Sequence, residues 1–237
     1  MLVFSQFSSN TLYTSLLSLC FCQLLTKDLL KICLIVSVQS IFYINAWRDS
    51  NTNKLTSSLA CMKLNYLNLV LVAGILIDLI KEKKGLETGF SLNETLANLI
   101  GAWAVTVFCY YSFDIFITLR RPAMIRLTPL LMLIVNFILW TQSEVFYEQT
   151  NWILIMNSVI GCLTSLKLKV FNAAKEPFYS IQGELFVQTT FLILETILKV
   201  IPRYPTFMLL LFFTCARYFS FVVSIRRQVD DLYTKRR

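Results

Sequence analysis

The sequence predicts an all-α fold, a polytopic membrane helix bundle of about seven to eight transmembrane helices. Hydrophobic residues make up 56% of the 237 residues, charged residues make up only 15%, and the mean hydropathy is +0.63. A soluble domain of this length needs more polar surface than that to cover its core. The apolar residues also recur in runs of roughly 17–25, which is the length that crosses the hydrocarbon layer of a bilayer as a helix.

Eight apolar segments follow from run length and from the proline and charged residues that separate the runs. The first segment is the weakest, and it lacks the basic region and the cleavage site of a signal peptide. Pro122, Pro202 and Pro205 fall between segments, where a missing N–H costs little, and Pro129 falls in a predicted first turn. The segments are residues 11–25, 29–47, 64–80, 96–119, 127–143, 152–171, 185–201 and 206–225.

No polar region is large enough for a second, soluble domain, so a single membrane domain is expected over residues 1–237. Residues 1–28 form its weak first segment or an ill-defined start, residues 29–225 the helix bundle, and residues 226–237 a basic cytosolic tail. If successive loops alternate between two sides, fourteen of the 22 Lys and Arg residues lie on the side of the tail and seven on the other. The positive-inside rule then places both termini and the loop from Arg120 to Arg126 in the cytoplasm.

Composition also excludes several classes of function. The net charge of +8 comes from short loops and the tail, so membrane orientation and lipid headgroups explain it and nucleic acid is not an expected partner. Histidine is absent, which excludes a histidine-based triad, zinc site or proton relay. The seven cysteines form no CxxC motif, and most lie in apolar runs where cysteine behaves as a small hydrophobe. We therefore assign no metal ligand.

Five charged residues lie in or near the apolar segments, where an unpaired charge is costly: Asp78, Asp114, Glu184, Glu195 and Arg217. Glu184 and Glu195 are eleven residues apart, or about three helical turns, so they share one face of a continuous helix. Arg217, in the last segment, is predicted to pair with Glu195. These charges either pair structurally and reach toward the helix ends, or they form a polar pocket for a headgroup or an ion.

Several stretches follow a pattern of apolar and aromatic residues that extends over residues 40–233. They are "FYINAW" ending at Trp47, "LTPLLMLIVNFILWTQSE" (127–144), "GCLTSLKLKVFNAAKEP" (161–177) and "RYFSFVVSIRRQVDDLY" (217–233). They resemble the carboxy-terminal part of the eukaryotic choline/ethanolamine phosphotransferases, which belong to the CDP-alcohol phosphatidyltransferase superfamily. The chain departs from that family at Ala46, where a histidine is usual.

The resemblance implies transfer of phosphocholine or phosphoethanolamine from a CDP-alcohol to diacylglycerol in the endoplasmic reticulum membrane. It implies Mg²⁺ or Mn²⁺ as the cofactor of an intact member. The basic residues Arg120 and Arg121 either set topology only or hold a phosphate-bearing headgroup, and together with Trp47 they are the candidate substrate-binding residues.

The catalytic signature of the superfamily is absent from the chain. That signature reads DG, two residues, AR, eight residues, G, three residues, D, three residues, D, and its carboxylates hold divalent cations. No DG pair occurs in the sequence. We therefore assign no catalytic residue and expect a truncated or divergent chain that is inactive in isolation. Membrane lipids, and a homo- or hetero-oligomer with a related enzyme, are the expected partners.

Two alternatives to a phosphotransferase-like function stay open. One is a non-catalytic membrane partner or lipid-binding protein. The other is an unrelated transporter or channel, although such proteins often show broken helices and repeated halves, which the sequence does not make evident.

Overall fold

A computed structural model describes residues 13–25, 27–52, 57–84, 92–119, 125–174, 178 and 182–234. Within these ranges the chain forms eight α-helices and no strand. They are α1 (Tyr13–Cys22), α2 (Asp28–Thr52), α3 (Ser57–Lys84), α4 (Leu92–Leu119), α5 (Thr128–Gln142), α6 (Glu144–Ala174), α7 (Gly183–Thr196) and α8 (Arg203–Thr234). Each helix corresponds to one predicted apolar segment, which confirms the all-α organisation.

Three helices in the described part of the chain are long and apolar enough to cross a membrane. The spans are Asp28–Arg48 in α2, Glu144–Asn172 in α6 and Arg203–Arg227 in α8. Helices α1 and α5, and the stretch Tyr66–Ile80 of α3, are apolar but shorter. These lengths and compositions are compatible with an integral membrane protein, while the number of seven to eight spans stays a prediction.

Local sequence signals explain where α5 begins and ends. Pro129 lies in its first turn, as predicted, where the missing N–H leaves no helical bond unmade. The helix ends at Gln142, and the extended backbone of Ser143 (ψ 134°) is the single residue that separates it from α6. Helices α5 and α6 also pack against each other, so the chain reverses direction at this connection.

Polar contacts show that α2, α4, α6 and α8 begin at the same end of the bundle. Lys27 at the start of α2 lies 3.0 Å from Glu94 in the first turn of α4. Glu144 at the start of α6 pairs with Arg203 at the start of α8. Gln23, just before α2, donates a hydrogen bond of 3.0 Å to Asn151 near the start of α6, which joins the two pairs. We call this the Glu144 end, and the opposite one, where α5 begins after Arg126, the Arg126 end. The even-numbered helices therefore run parallel, which agrees with loops that alternate between two sides.

Helix α2 packs mainly against α4 and α6, and α5 packs against α6 and α7. The contact between α2 and α6 is close at Gly161, where a Cβ atom would lie 2.4 Å from Oε1 of Gln39. Small residues at such a point let two membrane helices approach each other. Helix α8 lies against α6 and α7, but only 11% of its apolar span is buried. Lipid chains can cover such a surface, whereas in water it would be a large exposed apolar patch.

Candidate functional site

A cavity of about 320 Å³ lies between α2, α4 and α5 at the Arg126 end. Its volume is within the roughly 300–1,000 Å³ of typical small-molecule sites. Apart from two serines its lining is apolar, so it is suited to hydrocarbon. The lining residues are Val36, Ser37, Ser40, Ile44, Ala104, Val105, Leu127, Leu130, Leu131 and Ile134.

The cavity is an elongated groove that follows the helix axes. Val36 and Ile44 are eight residues apart on α2, and Leu127 and Ile134 are seven apart on α5. At 1.5 Å per residue these separations correspond to about 12 Å and about 10 Å. Leu131 and Val105 are 58% and 63% exposed, so the groove opens onto the outer surface of the bundle. A hydrocarbon chain could therefore enter it from the side.

Trp47 supports the wall of the groove from behind. Its side chain is fully buried, in a cluster that also contains Leu127 and Leu130. The hydroxyl of Tyr43 donates a hydrogen bond to the backbone carbonyl of Arg126, which ties α2 to the start of α5. Trp47, a predicted substrate-binding residue, is thus buried behind the groove and does not line it. Arg120 and Arg121 lie outside the described residues, and their binding role stays a prediction.

Three charged side chains from three helices meet at a second place. Nζ of Lys167 in α6 lies 2.8 Å from both carboxylate oxygens of Glu184 in α7. Nε and Nη2 of Arg217 in α8 each lie 2.8 Å from Oε1 of the same carboxylate. Glu184 is 4% exposed and Lys167 12%, whereas Arg217 is 52% exposed. We call these three residues the charge cluster.

The sequence predicts Glu195 as the partner of Arg217, whereas the structure gives Arg217 Glu184 as its partner. Helix α7 runs antiparallel to α8, so its N-terminal acid lies level with the middle of α8. Glu195 lies eleven residues further along α7, or about 16 Å away at 1.5 Å per residue. There it is buried and accepts a hydrogen bond of 2.7 Å from the hydroxyl of Ser143.

Lys167 was not predicted as a member of this cluster, because its charge is assigned to a cytosolic loop when the sequence is read alone. Its position inside the apolar segment 152–171 is the signal that could have identified it. Of the other charges in the spans, Asp78 accepts a hydrogen bond of 2.8 Å from Asn93. The side chain of Asp114 lies outside the described residues.

A network of amides joins α5, α6 and α7. Gln188 accepts a hydrogen bond of 3.1 Å from Nδ2 of Asn136 and donates one of 3.0 Å to Oδ1 of Asn157. Thr189 donates its hydroxyl to Oδ1 of Asn136 at 2.7 Å. The three amide side chains are almost completely buried. Because they satisfy one another, the network can lie between membrane helices, where an unpaired polar group would be costly.

The acids that the structure describes do not fit the Mg²⁺ or Mn²⁺ site of an intact phosphotransferase. Such a site needs several carboxylates that converge on hard cations. Over the described ranges, no three acidic, cysteine or histidine side chains come together. Six of the acids bond to separate partners, namely Asp28 to Lys31, Asp78 to Asn93, Glu94 to Lys27, Glu144 to Arg203, Glu184 to Lys167 and Arg217, and Glu195 to Ser143.

Comparison of the chain with protein-family models, curated proteins and solved structures gives no match. The resemblance to the aminoalcohol phosphotransferases therefore stays a prediction from the sequence stretches quoted above.

Proposed function

We propose that the protein is an integral membrane protein that binds a glycerolipid, and that it is related to the aminoalcohol phosphotransferases without catalysing phosphotransfer as an isolated chain. The observation that carries this proposal is the groove between α2, α4 and α5. It lies beside the apolar span Asp28–Arg48, is open at its side, and is lined by aliphatic residues.

The occupant that fits the groove is one acyl chain of a glycerolipid. An extended chain parallel to the helices would contact aliphatic side chains along about 12 Å of α2, from Val36 to Ile44. Since bulk lipid is as apolar as the groove, burial alone gives little preference inside a membrane. Specific binding must therefore also use shape and polar groups near the headgroup.

Polar and basic residues lie along and beside the groove toward the Arg126 end, where the glycerol and phosphate part would lie. Ser37 donates its hydroxyl to the carbonyl of Cys33 at 2.6 Å, while Ser40 lines the groove one turn nearer to this end. Arg126 directly precedes Leu127, whose side chain lines the groove. The charge count predicts that this end faces the cytosol, where basic residues meet anionic lipid headgroups. A phospholipid or a diacylglycerol would thus enter with its chains parallel to the helices.

Filling the groove is expected to weaken specific lipid contact about tenfold. In Ala104→Phe the new ring would occupy the space between α2 and α5, because Ala104 lines the groove. We expect photolabelling of the purified full chain by a diazirine-bearing diacyl phospholipid to yield adducts on groove residues of α2 and α5. We expect these adducts to fall about tenfold in the variant, which corresponds to about 1.4 kcal/mol.

The matched control is Ala102→Phe, the same substitution at an exposed position of the same helix. It should leave the adducts on α2 and α5 unchanged. Labelling spread evenly over the exposed apolar residues, or equal labelling of the two variants, would contradict the proposal.

The related proposal on catalysis concerns the isolated chain. In microsomes without endogenous activity, supplied with Mg²⁺ or Mn²⁺, diacylglycerol and labelled CDP-choline or CDP-ethanolamine, this chain alone is expected to form no phospholipid. The expectation follows from the absent DG signature and from the separate partners of the described acids. Product formation that requires this chain would show that it is catalytic.

We further propose residence in the endoplasmic reticulum, a cytosolic C-terminus and assembly with itself or a related enzyme.

A further inference from the structure

A second cavity, of about 350 Å³, lies at the Glu144 end of the bundle. Its lining consists of Asp28 and Lys31 at the start of α2 and of residues 147–152 in the first turns of α6. We propose that this cavity binds an organic ammonium ion. It is distinct from the groove, which lies toward the Arg126 end and is lined by aliphatic side chains.

A kink in α6 gives the cavity its shape. Gln149 has a non-helical backbone (φ −126°, ψ 32°). A straight helix turns by about 100° per residue, so six consecutive residues would point around its whole circumference, whereas here all six line one cavity. Nε2 of Gln149 donates a hydrogen bond of 2.8 Å to the hydroxyl of Tyr204 in α8. Because Asn151 is likewise bonded to Gln23, the kinked segment is held by contacts to two other parts of the chain.

The charges of the lining leave one carboxylate available. Nζ of Lys31 lies 2.8 Å from Oδ1 of Asp28, so these two charges neutralise each other. Glu148 is exposed, and its carboxylate makes no hydrogen bond or ion pair with any residue that the structure describes. The lining therefore carries one net negative charge, and a ligand of complementary charge is a cation.

Two aromatic rings in the same lining indicate which kind of cation fits. Trp152 is 52% exposed and Tyr147 is 70% exposed. The faces of such rings attract ammonium groups, and quaternary ammonium ligands are recognised in this way. Exposed aromatic residues alone are common at a membrane surface, but here they share a cavity with the available carboxylate of Glu148. A single available carboxylate is too few for a hard divalent cation, which needs several oxygen ligands.

The level of the cavity in the membrane allows two sources of the ammonium group. The apolar spans of α2, α6 and α8 begin at Asp28, Glu144 and Arg203, all at this end of the bundle. The cavity therefore lies at the membrane surface and not in the hydrocarbon layer. Both the ammonium group of a lipid headgroup and a free organic amine can reach it there.

Removing the available carboxylate tests the site. The full chain would be purified in dodecyl maltoside, which is uncharged, and NaCl would be replaced stepwise by tetramethylammonium chloride at constant ionic strength. We expect saturable binding by saturation-transfer NMR, weakened about tenfold in Glu148→Gln. The control Glu144→Gln removes the same charge at an exposed position of the same helix and should weaken binding less than about twofold. Equal binding by the two variants, or no saturable binding by the unmodified chain, would overturn the proposal.

A second pair of variants tests the ring of Trp152 without changing any charge. Trp152→Leu removes the aromatic face and should weaken binding of tetramethylammonium about fivefold. Trp152→Phe keeps an aromatic face and should weaken it less than about twofold. If the leucine and phenylalanine variants bind equally well, the ring does not hold the cation and the proposal is wrong.

Phosphatidylcholine added to the micelles identifies the source of the ammonium group. Displacement of tetramethylammonium would identify a lipid headgroup as the ligand, and no displacement would identify a free amine. Either result supports an ammonium site. Photolabelling of the groove should persist in all of these variants, which separates this proposal from the previous one.

Discussion

Glu184→Gln is expected to lower the free energy of unfolding by about 3–5 kcal/mol. The substitution keeps the shape of the side chain but removes the negative charge that faces Lys167 and Arg217 at 2.8 Å. Lys167 is only 12% exposed, so it would be left as a buried cation without a counter-charge. Breaking a buried ion pair from one side has this large effect because the remaining charge is still removed from water.

The apparent midpoint of thermal unfolding of the detergent-purified chain measures this effect. A change of 1 kcal/mol shifts the midpoint by about 2–4 °C in a protein of this size, so a fall of at least about 6 °C is expected. Glu195→Gln is the matched control, because Glu195 lies on the same helix and is equally buried at 4%. Its partner is the hydroxyl of Ser143, which can also donate to an amide oxygen, so its midpoint should fall much less.

A partial reversal would identify the cause of the instability. Adding Lys167→Met to Glu184→Gln removes the buried cation together with its carboxylate. The double variant should be more stable than Glu184→Gln alone, since the two effects are coupled through one contact. If Glu184→Gln and Glu195→Gln destabilise the chain equally, the charge cluster does not stabilise the bundle.

Gln188→Leu is the substitution with the second largest expected effect. Leucine can neither accept from Asn136 nor donate to Asn157, so two buried amides would each lose a partner. An unsatisfied buried polar group costs about 1–3 kcal/mol. Hydrogen bonds between membrane helices are at the lower end, with an average of about 0.6 kcal/mol. We expect a loss of about 2 kcal/mol for the pair.

The measurement is again the unfolding midpoint, which should fall by about 4–8 °C. Thr190→Val serves as the control on the same helix. Thr190 is exposed and its hydroxyl donates to the carbonyl of Phe186 within α7, so no contact between helices is lost. An unchanged midpoint for Gln188→Leu would mean that the amide network contributes no stability to the packing of α5, α6 and α7.

The positions of the helices could be predicted from the sequence because their signals are local. Runs of apolar residues, the charges between them and Pro129 in the first turn of α5 lie within a few residues of the features that they determine. The predicted segment ends at residue 201, whereas α7 ends at Thr196. The helix ends earlier because Lys199 has a left-handed backbone (φ 53°), a conformation that closes helices and that glycine adopts more often.

The sites could not be predicted in the same way, because each combines residues from distant segments. Residue spacing indicates that Glu184 and Glu195 share a helix face, but it does not indicate which of them lies level with Arg217. That depends on where α7 begins relative to α8. The groove is likewise formed by residues near 40, 104 and 130. Its serines and small alanine carry no signal until α2, α4 and α5 are brought together.

A groove that binds a glycerolipid would reconcile the resemblance to the aminoalcohol phosphotransferases with the missing signature. Binding a glycerolipid needs an apolar, open-sided groove for the acyl part and polar groups near the headgroup, but no cluster of carboxylates. Phosphotransfer from a CDP-alcohol needs converging carboxylates in addition. We therefore propose that the protein shares the first property with that family and lacks the second.

A density map of the full chain in phospholipid nanodiscs tests the central claim, the binding of a glycerolipid between α2, α4 and α5, most directly. We predict an elongated density that runs along the groove past Ser40, with its headgroup toward Arg126. A groove closed by its own side chains, or one with no density stronger than that of the surrounding lipid, would contradict the claim.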